Sequence, residues 1–369
     1  MSVFQRLYRG ETRFDFIGTR RRWYLASLII IVICILSFVI RGFNWGIEFK
    51  GGSQFTILTK GTPITAKEAE SAFARAGLQV ADAARVVGSG DSRQIVVKTN
   101  DVTPAEQATV TPKVASDLQI SPSVISVQSV SSSWGHEISV KAIEGLIIFL
   151  IVVSIYLSIR FQWRMAVGAF IALVHDLILA AGVYSLVGFE VTPSTVVGLL
   201  TILGFSLYDT VVVYDKVAEN AKDITAGSRT TFSEAANLAV NQTLMRSINT
   251  SLIGLLPVAG LLFVGAGILG VGTIKDLALI LFVGLASGAY SSLFLATPIV
   301  CDLVERQPEY KALTKRVVAK RASEAAKAKA AAGEPALAGA TGTTTSVRRT
   351  GGPAPAPKPG ARPQRARRR

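Results

Sequence analysis

The sequence is short of charge. Only 17% of its 369 residues are Asp, Glu, Lys or Arg, whereas half are hydrophobic and the mean hydropathy is +0.42. This balance excludes an ordinary soluble domain, in which about a quarter of the residues are charged. The sequence therefore predicts a protein that lies in a membrane.

Groups that carry covalent or metal chemistry are also scarce. The chain has two His and two Cys. It has no nucleophile and base pair and no metal-ligand cluster, and the run KGGS lacks the spacing of a phosphate-binding Walker motif. Cys34 and Cys301 fall in the first and at the end of the last apolar run, at opposite faces or depths of the membrane, so we expect no disulfide. These absences argue against an enzyme, a metal site and a bound cofactor.

Six apolar runs are long enough to cross a membrane, because about 20 helical residues span roughly 30 Å of hydrocarbon. The first follows three consecutive arginines and is not followed by a cleavage site, which indicates an uncleaved signal anchor. Basic residues in the short loops and in the tail place both termini in the cytoplasm. The runs lie at residues 23–40, 140–159, 165–187, 195–214, 247–264 and 277–300.

The segment between the first two runs has the pattern of a small α+β domain. The strand patterns SQFTILT, ARVVG, RQIVVKT and VISVQSV are interrupted by two capping boxes, TAKE and TPAE, each of which opens a helix. Their order, β-α-β-β-α-β, is the ferredoxin-like arrangement, and Pro112 predicts a break or kink in the second helix. The predicted domains are a cytoplasmic N-terminus (1–22), a first transmembrane helix (23–40), the extracytoplasmic domain (41–138), five further helices (139–300) and a basic, largely disordered cytoplasmic tail (301–369).

The tail carries most of the formal charge of +14, with 16 Lys or Arg against 5 Asp or Glu from residue 301 onwards. From about Ala322 its composition predicts disorder, because it holds few large apolar side chains. Two interpretations stay open: a solvated segment that follows the positive-inside rule, or a segment attracted to anionic lipid. The absence of aromatic residues among the arginines argues against specific binding of nucleic acid.

An acid, Asp209, stands inside the fourth apolar run. A carboxylate in a membrane helix costs roughly 2.5 to 3.5 kcal/mol on insertion scales, so it has to be neutralised, paired or functional. Arg246 is the candidate partner, in a stripe with Gln242 and Asn249 on the next helix, although it could also be a cytoplasmic anchor. Because an approaching guanidinium favours the charged form of a carboxyl group, Asp209 and Arg246 are a candidate proton-coupling pair.

The third run holds two more ionisable residues, His175 and Asp176, near its centre. In one interpretation Asp176 accepts hydrogen bonds from a neighbouring span and His175 packs as a neutral ring. In the other, the two residues relay a proton. Small residues recur every four positions in the last run and predict close helix packing; they are Gly284, Gly288, Ser292 and Ala296.

Four blocks of the sequence, in the same order, resemble the SecD/SecF family, which belongs to the resistance-nodulation-division superfamily. They cover most of residues 40 to 300, and Gly51 and Gly52 match the family's diglycine. The chain departs from the family pattern at Glu48, Gln162 and Tyr208, where the family usually has Asp, Glu and Asn. The blocks are WGIEFKGGSQF (45–55), IRFQWRMAVGAFIALVHDLILAAG (159–182), GFEVTPSTVVGLLTILGFSLYDTVVVYDKVAEN (188–220) and NQTLMRSINTSLIGLLPVAGLLF (241–263).

This resemblance implies a six-span subunit of the bacterial inner membrane that joins a homologous partner, SecD, beside the SecYEG channel, with YajC and the SecA motor as further partners. It implies that the proton-motive force, or sodium in some members, drives late movement of preproteins on the outer side. Asp209 and Arg246 would couple the ion, and Gly51 and Gly52 would tether the moving outer domain. Half of an efflux or lipid transporter and a passive scaffold of the translocon stay open as alternatives.

Overall fold

The computed structural model describes residues 14–59, 63–88, 90, 93–268 and 272–332. Within them six helical segments are long and apolar enough to cross a membrane, as the sequence predicted. We call them the first to sixth spans. Their helices are Arg20–Arg41, Ser132–Arg160, Trp163–Val187, Pro193–Asn220, Phe232–Gly260 and, for the sixth, Gly272–Ser291 with its continuation to Glu305.

Two of the spans contain π-helical segments. The fifth continues as a π-helix over Leu261–Ile268, and the sixth passes through the π-helical turn Ser292–Ala296 before it resumes as the α-helix Thr297–Glu305. Such turns are rare and often mark functional sites, because they change the direction in which successive side chains point. In the sixth span the turn begins among buried serines.

The segment between the first two spans folds into a four-stranded antiparallel sheet with two helices, Ala66–Arg75 and Pro104–Asp117. The strand order β3-β4-β2-β5 makes it the ferredoxin-like arrangement that the sequence predicted. Both predicted capping boxes are formed, and both helices bury apolar side chains against the sheet. The strands among the described residues are β1 Asn44–Trp45, β2 Gly52–Leu58, β3 Val80–Val87, β4 Gln94–Thr99, β5 Ile125–Val130 and β6 Glu190–Val191.

The second domain helix is not broken at Pro112, contrary to one of the two outcomes that the sequence suggested. Proline removes one backbone donor from the helix. Val110 and Val114, on either side of it, are buried in the core of the sheet domain. This burial holds the helix together across the missing hydrogen bond.

The sheet domain is attached to the bundle at the ends of the first and third spans. There β1 pairs in parallel with β6, in the loop that follows the third span. In addition, the Lys98 ammonium of β4 lies 2.7 Å from the Glu190 carboxylate and donates to the Trp45 carbonyl at 3.0 Å. Because the Lys98 side chain is only 9% exposed, this ion pair is a buried link between domain and bundle.

Gly51 and Gly52 stand where the chain enters the sheet. Both have positive φ, +75° and +115°, a region that side chains other than glycine rarely adopt. A Cβ on Gly51 would lie 2.6 Å from the Ser132 Cα, and one on Gly52 would lie 2.5 Å from the Thr99 carbonyl oxygen. The diglycine is therefore required by both backbone conformation and space.

At the opposite end of the bundle, the chain before the first span is held by the fifth span. The Asn237 side chain accepts from the backbone amides of Phe16 and Ile17, and the Asn241 side chain both accepts from and donates to the backbone of Phe14. Phe16 and Ile17 are themselves buried in the main core of the bundle. This short segment is thus part of the folded unit.

The tail begins as a helix, Pro308–Ala332, whose Leu313 and Val317 are buried together with Ile224. We expected disorder from about Ala322, so the expectation is wrong for residues 322–332. Alanine is the strongest helix former, and this stretch is rich in it. The rest of the predicted disordered tail, residues 333–369, lies outside the described residues.

Candidate functional site

Asp209 of the fourth span is buried in the bundle and held by hydroxyl groups. Its Oδ1 accepts a hydrogen bond from Ser247 of the fifth span, and its Oδ2 accepts one from Ser292 of the sixth, each at 2.6 Å. These lengths are typical of a hydroxyl donating to an ionised carboxylate. The acid is only 7% exposed, so two neighbouring spans supply its polar contacts.

Asp176 of the third span is surrounded more completely. Its Oδ1 accepts from Ser287, and its Oδ2 accepts from Ser206 and Ser291, again at 2.6 Å each. All three serines are buried, as is Asp176 itself at 1% exposure. The acid therefore ties the third span to the fourth and the sixth.

His175 lies beside Asp176, with its Nδ1 3.2 Å from the Asp176 Oδ1. Its Nε2 is buried and has no hydrogen-bond partner, and its ring packs near that of Tyr290, with 6.1 Å between centroids. The contacts of Asp176 agree with the structural interpretation of this pair. The proton relay stays a prediction.

The two acids are connected through neighbouring residues of the sixth span. Ser291 donates to Asp176, and Ser292 donates to Asp209. Adjacent helical residues point about 100° apart, so this serine pair, at the start of the π-helical turn, faces both acids. A movement of the sixth span here changes the contacts of both carboxylates.

Arg246 does not contact Asp209 in this structure. Its Nη2 donates to the Tyr208 hydroxyl at 3.0 Å, and no ion pair joins Arg246 to Asp209 within 4.0 Å in the described part of the chain. The direct contact that we expected is therefore absent in this conformation. Asp209 points into the bundle, whereas Tyr208, about 100° away on the helix, is half exposed and meets the guanidinium.

The rest of the predicted polar stripe is exposed on the fifth span. Gln242 accepts a hydrogen bond from Asn220 at 3.0 Å, and Asn249 is exposed on the same face. Neither residue approaches Asp209 through a direct hydrogen bond. The structure thus separates a buried serine and carboxylate cluster from an exposed stripe that contains Arg246.

The small residues of the sixth span allow this cluster to form. A Cβ on Gly284 would overlap the Ile202 side chain, and one on Gly288 would lie 2.9 Å from the Ser206 Cβ. The sixth span can therefore approach the fourth closely enough for its serines to reach the acids. Ser292 and Ala296 of the same stripe are fully buried.

Sequence reasoning missed the hydroxyl donors Ser247, Ser287 and Ser291, and treated Ser292 only as a packing residue. A usable signal existed: Ser287 and Ser291 are four residues apart in an apolar run, and so lie on one helix face. No group of three or more His, Cys, Asp or Glu that could hold a metal is found among the described residues.

A six-span bundle with an α+β domain between its first two spans, and with carboxylates buried among serines, defines a class of polytopic membrane protein. Residues 110–306 match the family described as protein export membrane protein SecD/SecF, C-terminal, and residues 36–62 match the SecD/SecF GG motif. The chain therefore belongs to the SecD/SecF family, and within it to the SecF subunits of the Sec protein export pathway.

Its relatives include the protein translocase subunit SecF of Streptomyces coelicolor, 47% identical over 88% of this chain and 86% of the relative. The SecF of Mycobacterium tuberculosis H37Rv is 42% identical over 99% of this chain and 86% of the relative. The crystal structure of SecDF, a translocon-associated membrane protein from Thermus thermophilus, superposes with a TM-score of 0.70 at 30% identity. That match covers 80% of this chain and 39% of the SecDF chain.

Proposed function

We propose that this SecF subunit works with SecD to convert the proton-motive force into late movement of preproteins through SecYEG, and that Asp209 takes up and releases the proton. The observation that carries the proposal is the setting of Asp209. It is a buried acid in a membrane helix whose hydrogen bonds come from Ser247 and Ser292 and not from a fixed cation. Buried acids of this kind mark ion pathways in membrane proteins.

Hydroxyl partners suit an acid that changes its protonation state. A serine hydroxyl can donate to a carboxylate, and after rotation it can accept from a carboxylic acid. Both states of Asp209 can therefore keep a hydrogen bond to Ser247 or Ser292. Arg246 donates to Tyr208, the residue next to Asp209. A modest shift of the fifth span could therefore move the guanidinium from Tyr208 to Asp209 and change the affinity of the acid for a proton.

The exposed polar stripe supports a partner within the membrane. Tyr208 is half exposed, and Arg246 and Asn249 of the fifth span are exposed. Polar side chains at membrane depth usually face protein or water, because contact with lipid is costly. A homologous six-span half would cover this face, and the Thermus thermophilus relative named SecDF is a chain of which this one covers only 38%. SecD is the partner that we infer.

The orientation of the chain in the membrane and its further partners are also inferred. Arg20, Arg160 and Arg164 lie at the ends of the spans away from the sheet domain, and the positive-inside rule puts that side in the cytoplasm. Both termini would then be cytoplasmic, in a bacterial inner membrane, with the sheet domain on the outer side. YajC and SecA would be further contacts of the assembly, and the basic tail would meet anionic lipid.

Export by inverted membrane vesicles tests the proposal. With a proton gradient imposed, Asp209→Asn should remove the gradient-dependent part of export and leave the ATP-driven part, because the amide cannot carry a proton between states. Asp215→Asn is the matched control: it lies on the same helix but is about half exposed and paired with Arg160. The same measurement with an imposed sodium gradient identifies the ion.

Three results would contradict the proposal. Full gradient-dependent export by the Asp209 variant would remove the coupling role. Export that is unaffected by uncouplers in the parent would favour a passive scaffold. Co-purification with a pump subunit in place of SecD and SecYEG would favour half of an efflux or lipid transporter.

A further inference from the structure

A cavity of about 540 Å³ opens below the sheet domain, between the second, third, fourth and sixth spans. Its size falls within the range of about 300 to 1,000 Å³ that is typical of small-molecule sites. Ile143, in its wall, is 60% exposed, so the cavity is open at the side of the bundle. The buried serine and carboxylate cluster contributes no residue to it.

The cavity is polar at one end only. Lys50 and Trp45 line it next to the sheet domain, where the chain leaves the first span. Leu146 of the second span and Leu200 of the fourth line it deeper in the bundle. Ser139 and Leu146 are seven helical residues apart, so the cavity descends about 10 Å from the edge of the apolar region.

We expect the lower part of this cavity neither to hold water nor to stay empty. Apolar walls offer water no hydrogen bonds, and such cavities stay dry. An empty space would leave the wall atoms without van der Waals partners. Because the cavity is open to the side within a membrane, a hydrocarbon chain from the bilayer can fill it.

The positive charge of Lys50 at the rim of the cavity favours one class of lipid head group. The Lys50 ammonium lies 3.7 Å from the Asp82 carboxylate, longer than the usual 2.7 to 2.9 Å of a charge-assisted hydrogen bond. An ammonium has three donors, and the Lys50 side chain is 55% exposed. It can therefore donate to a phosphate oxygen as a second partner, which favours a head group with net negative charge.

We propose that this cavity binds one phospholipid with an anionic head group, its acyl chain between the second and fourth spans and its phosphate on Lys50. The site lies directly below the segment that leads into Gly51 and Gly52, so the bound lipid supports the base of the sheet domain. The proposal is independent of proton coupling at Asp209.

Contact quenching of Trp45 by brominated lipid tests the site. The full chain carries Trp23→Phe, Trp134→Phe and Trp163→Phe, so that Trp45 is its only tryptophan, and is reconstituted in phosphatidylcholine bilayers. Brominated phosphatidylglycerol or brominated phosphatidylcholine is added at the same mole fraction. One basic residue near a membrane surface favours anionic lipid about five-fold, so brominated phosphatidylglycerol should be enriched at Trp45 by about that factor.

Two variants separate the acyl site from the head-group site. Ala142→Phe fills the cavity and should reduce quenching by both lipids, whereas Val140→Phe, on the lipid-facing side of the same span, should leave it unchanged. Lys50→Gln should make the quenching of Trp45 by the two lipids equal. Circular dichroism checks that each variant is folded.

Other occupants give different results. Equal quenching by both lipids in the parent, unaffected by Ala142→Phe, would mean ordinary boundary lipid and would overturn the proposal. Loss of quenching when SecD is reconstituted together with the chain would show that a protein covers the cavity, and would also overturn it. Phosphatidylglycerol enrichment that depends on Lys50 and Ala142 would support it.

Discussion

The two buried acids of the bundle have different surroundings. Asp176 receives three serine hydroxyls from two other spans and has His175 beside it, whereas Asp209 receives two hydroxyls and leaves acceptor capacity unused. A carboxylate has about four lone-pair sites. Asp176 is therefore close to saturated as an anion, and Asp209 has room for a proton or another donor.

The number of donors affects how easily each acid can change its hydrogen-bond partners. A saturated carboxylate fixes the spans that supply its donors, because moving any of them breaks a charge-assisted hydrogen bond. An acid with spare sites can change partners at a lower cost. Under the proposed function we therefore expect Asp176 to hold the spans in position and Asp209 to exchange its hydrogen-bond partners, although both acids are buried in the same bundle.

Removal of Asp176 should change the stability of the bundle most. Asp176→Ala leaves Ser206 and Ser287 without an acceptor, whereas Ser291 keeps the Gly288 carbonyl at 3.3 Å. Each buried unsatisfied group costs about 1 to 3 kcal/mol. We expect it to lower the thermal unfolding temperature in detergent more than Asp209→Ala, which leaves Ser247 without an acceptor while Ser292 keeps the Ala289 carbonyl at 3.2 Å. Equal losses, or a larger loss for Asp209→Ala, would contradict the structural role expected of Asp176.

Substitution of single serines should distinguish the two acids by their effect on activity. A hydrogen bond to a charged group is worth about 1.5 to 3 kcal/mol, so we expect Ser292→Ala to change gradient-driven export by at least about tenfold. Ser287→Ala should have little effect, because Asp176 keeps Ser206 and Ser291. Export assays in vesicles measure both variants. A larger effect of Ser287→Ala than of Ser292→Ala would contradict the proposed exchange at Asp209.

The third effect concerns the packing that brings the serines to the acids. Gly284→Ala places a methyl group on Ile202 and should cost about 1 to 3 kcal/mol, as overpacking does. Gly254→Ala is the control, because its Cβ would meet Leu285 at an ordinary 3.6 Å. Thermal unfolding compares the two variants. A stable Gly284 variant would show that the interface between the fourth and sixth spans can relax.

The smallest effect extends the comparison to a third acid, Glu48, whose Oε2 is buried without a hydrogen-bond partner. Burial raises the pKa of Glu48, the Glu190 charge raises it further, and Lys98 lowers it. A raised pKa in the folded state stabilises it at low pH, and this contribution is lost as the pH rises through that value. The unfolding temperature of Glu48→Gln should therefore equal that of the parent at pH 4 and exceed it at pH 7.

Glu68 supplies a control of opposite sign. Its backbone hydrogen bond to Thr65 lowers the pKa of Glu68, so its contribution is present above the unfolded pKa and is lost as the pH falls. Glu68→Gln should lower the unfolding temperature at pH 7 and leave it unchanged at pH 3. Parallel pH profiles for the two variants would contradict the sign given for Glu48.

The sequence predicted those parts of the structure that have a local cause. Apolar length predicted the six spans, and Thr65 and Thr103 predicted the starts of the domain helices through their capping boxes. The contacts of Asp209 could not be predicted, because its donors are 38 and 83 residues away and depend on how the spans pack. For the same reason, Arg246 was expected at Asp209 but meets Tyr208.

The segment before the first span is recognised through its main chain. Asn237 and Asn241 bind amide and carbonyl groups of this segment, which every residue type except proline offers in full. Its path is consequently less sensitive to substitution than its sequence suggests, with Phe16 and Ile17 as the buried exceptions. Phe14 can therefore be replaced without loss of these main-chain contacts, whereas Asp15 also contributes its side chain, whose Oδ1 accepts from the Gly18 amide at 2.7 Å.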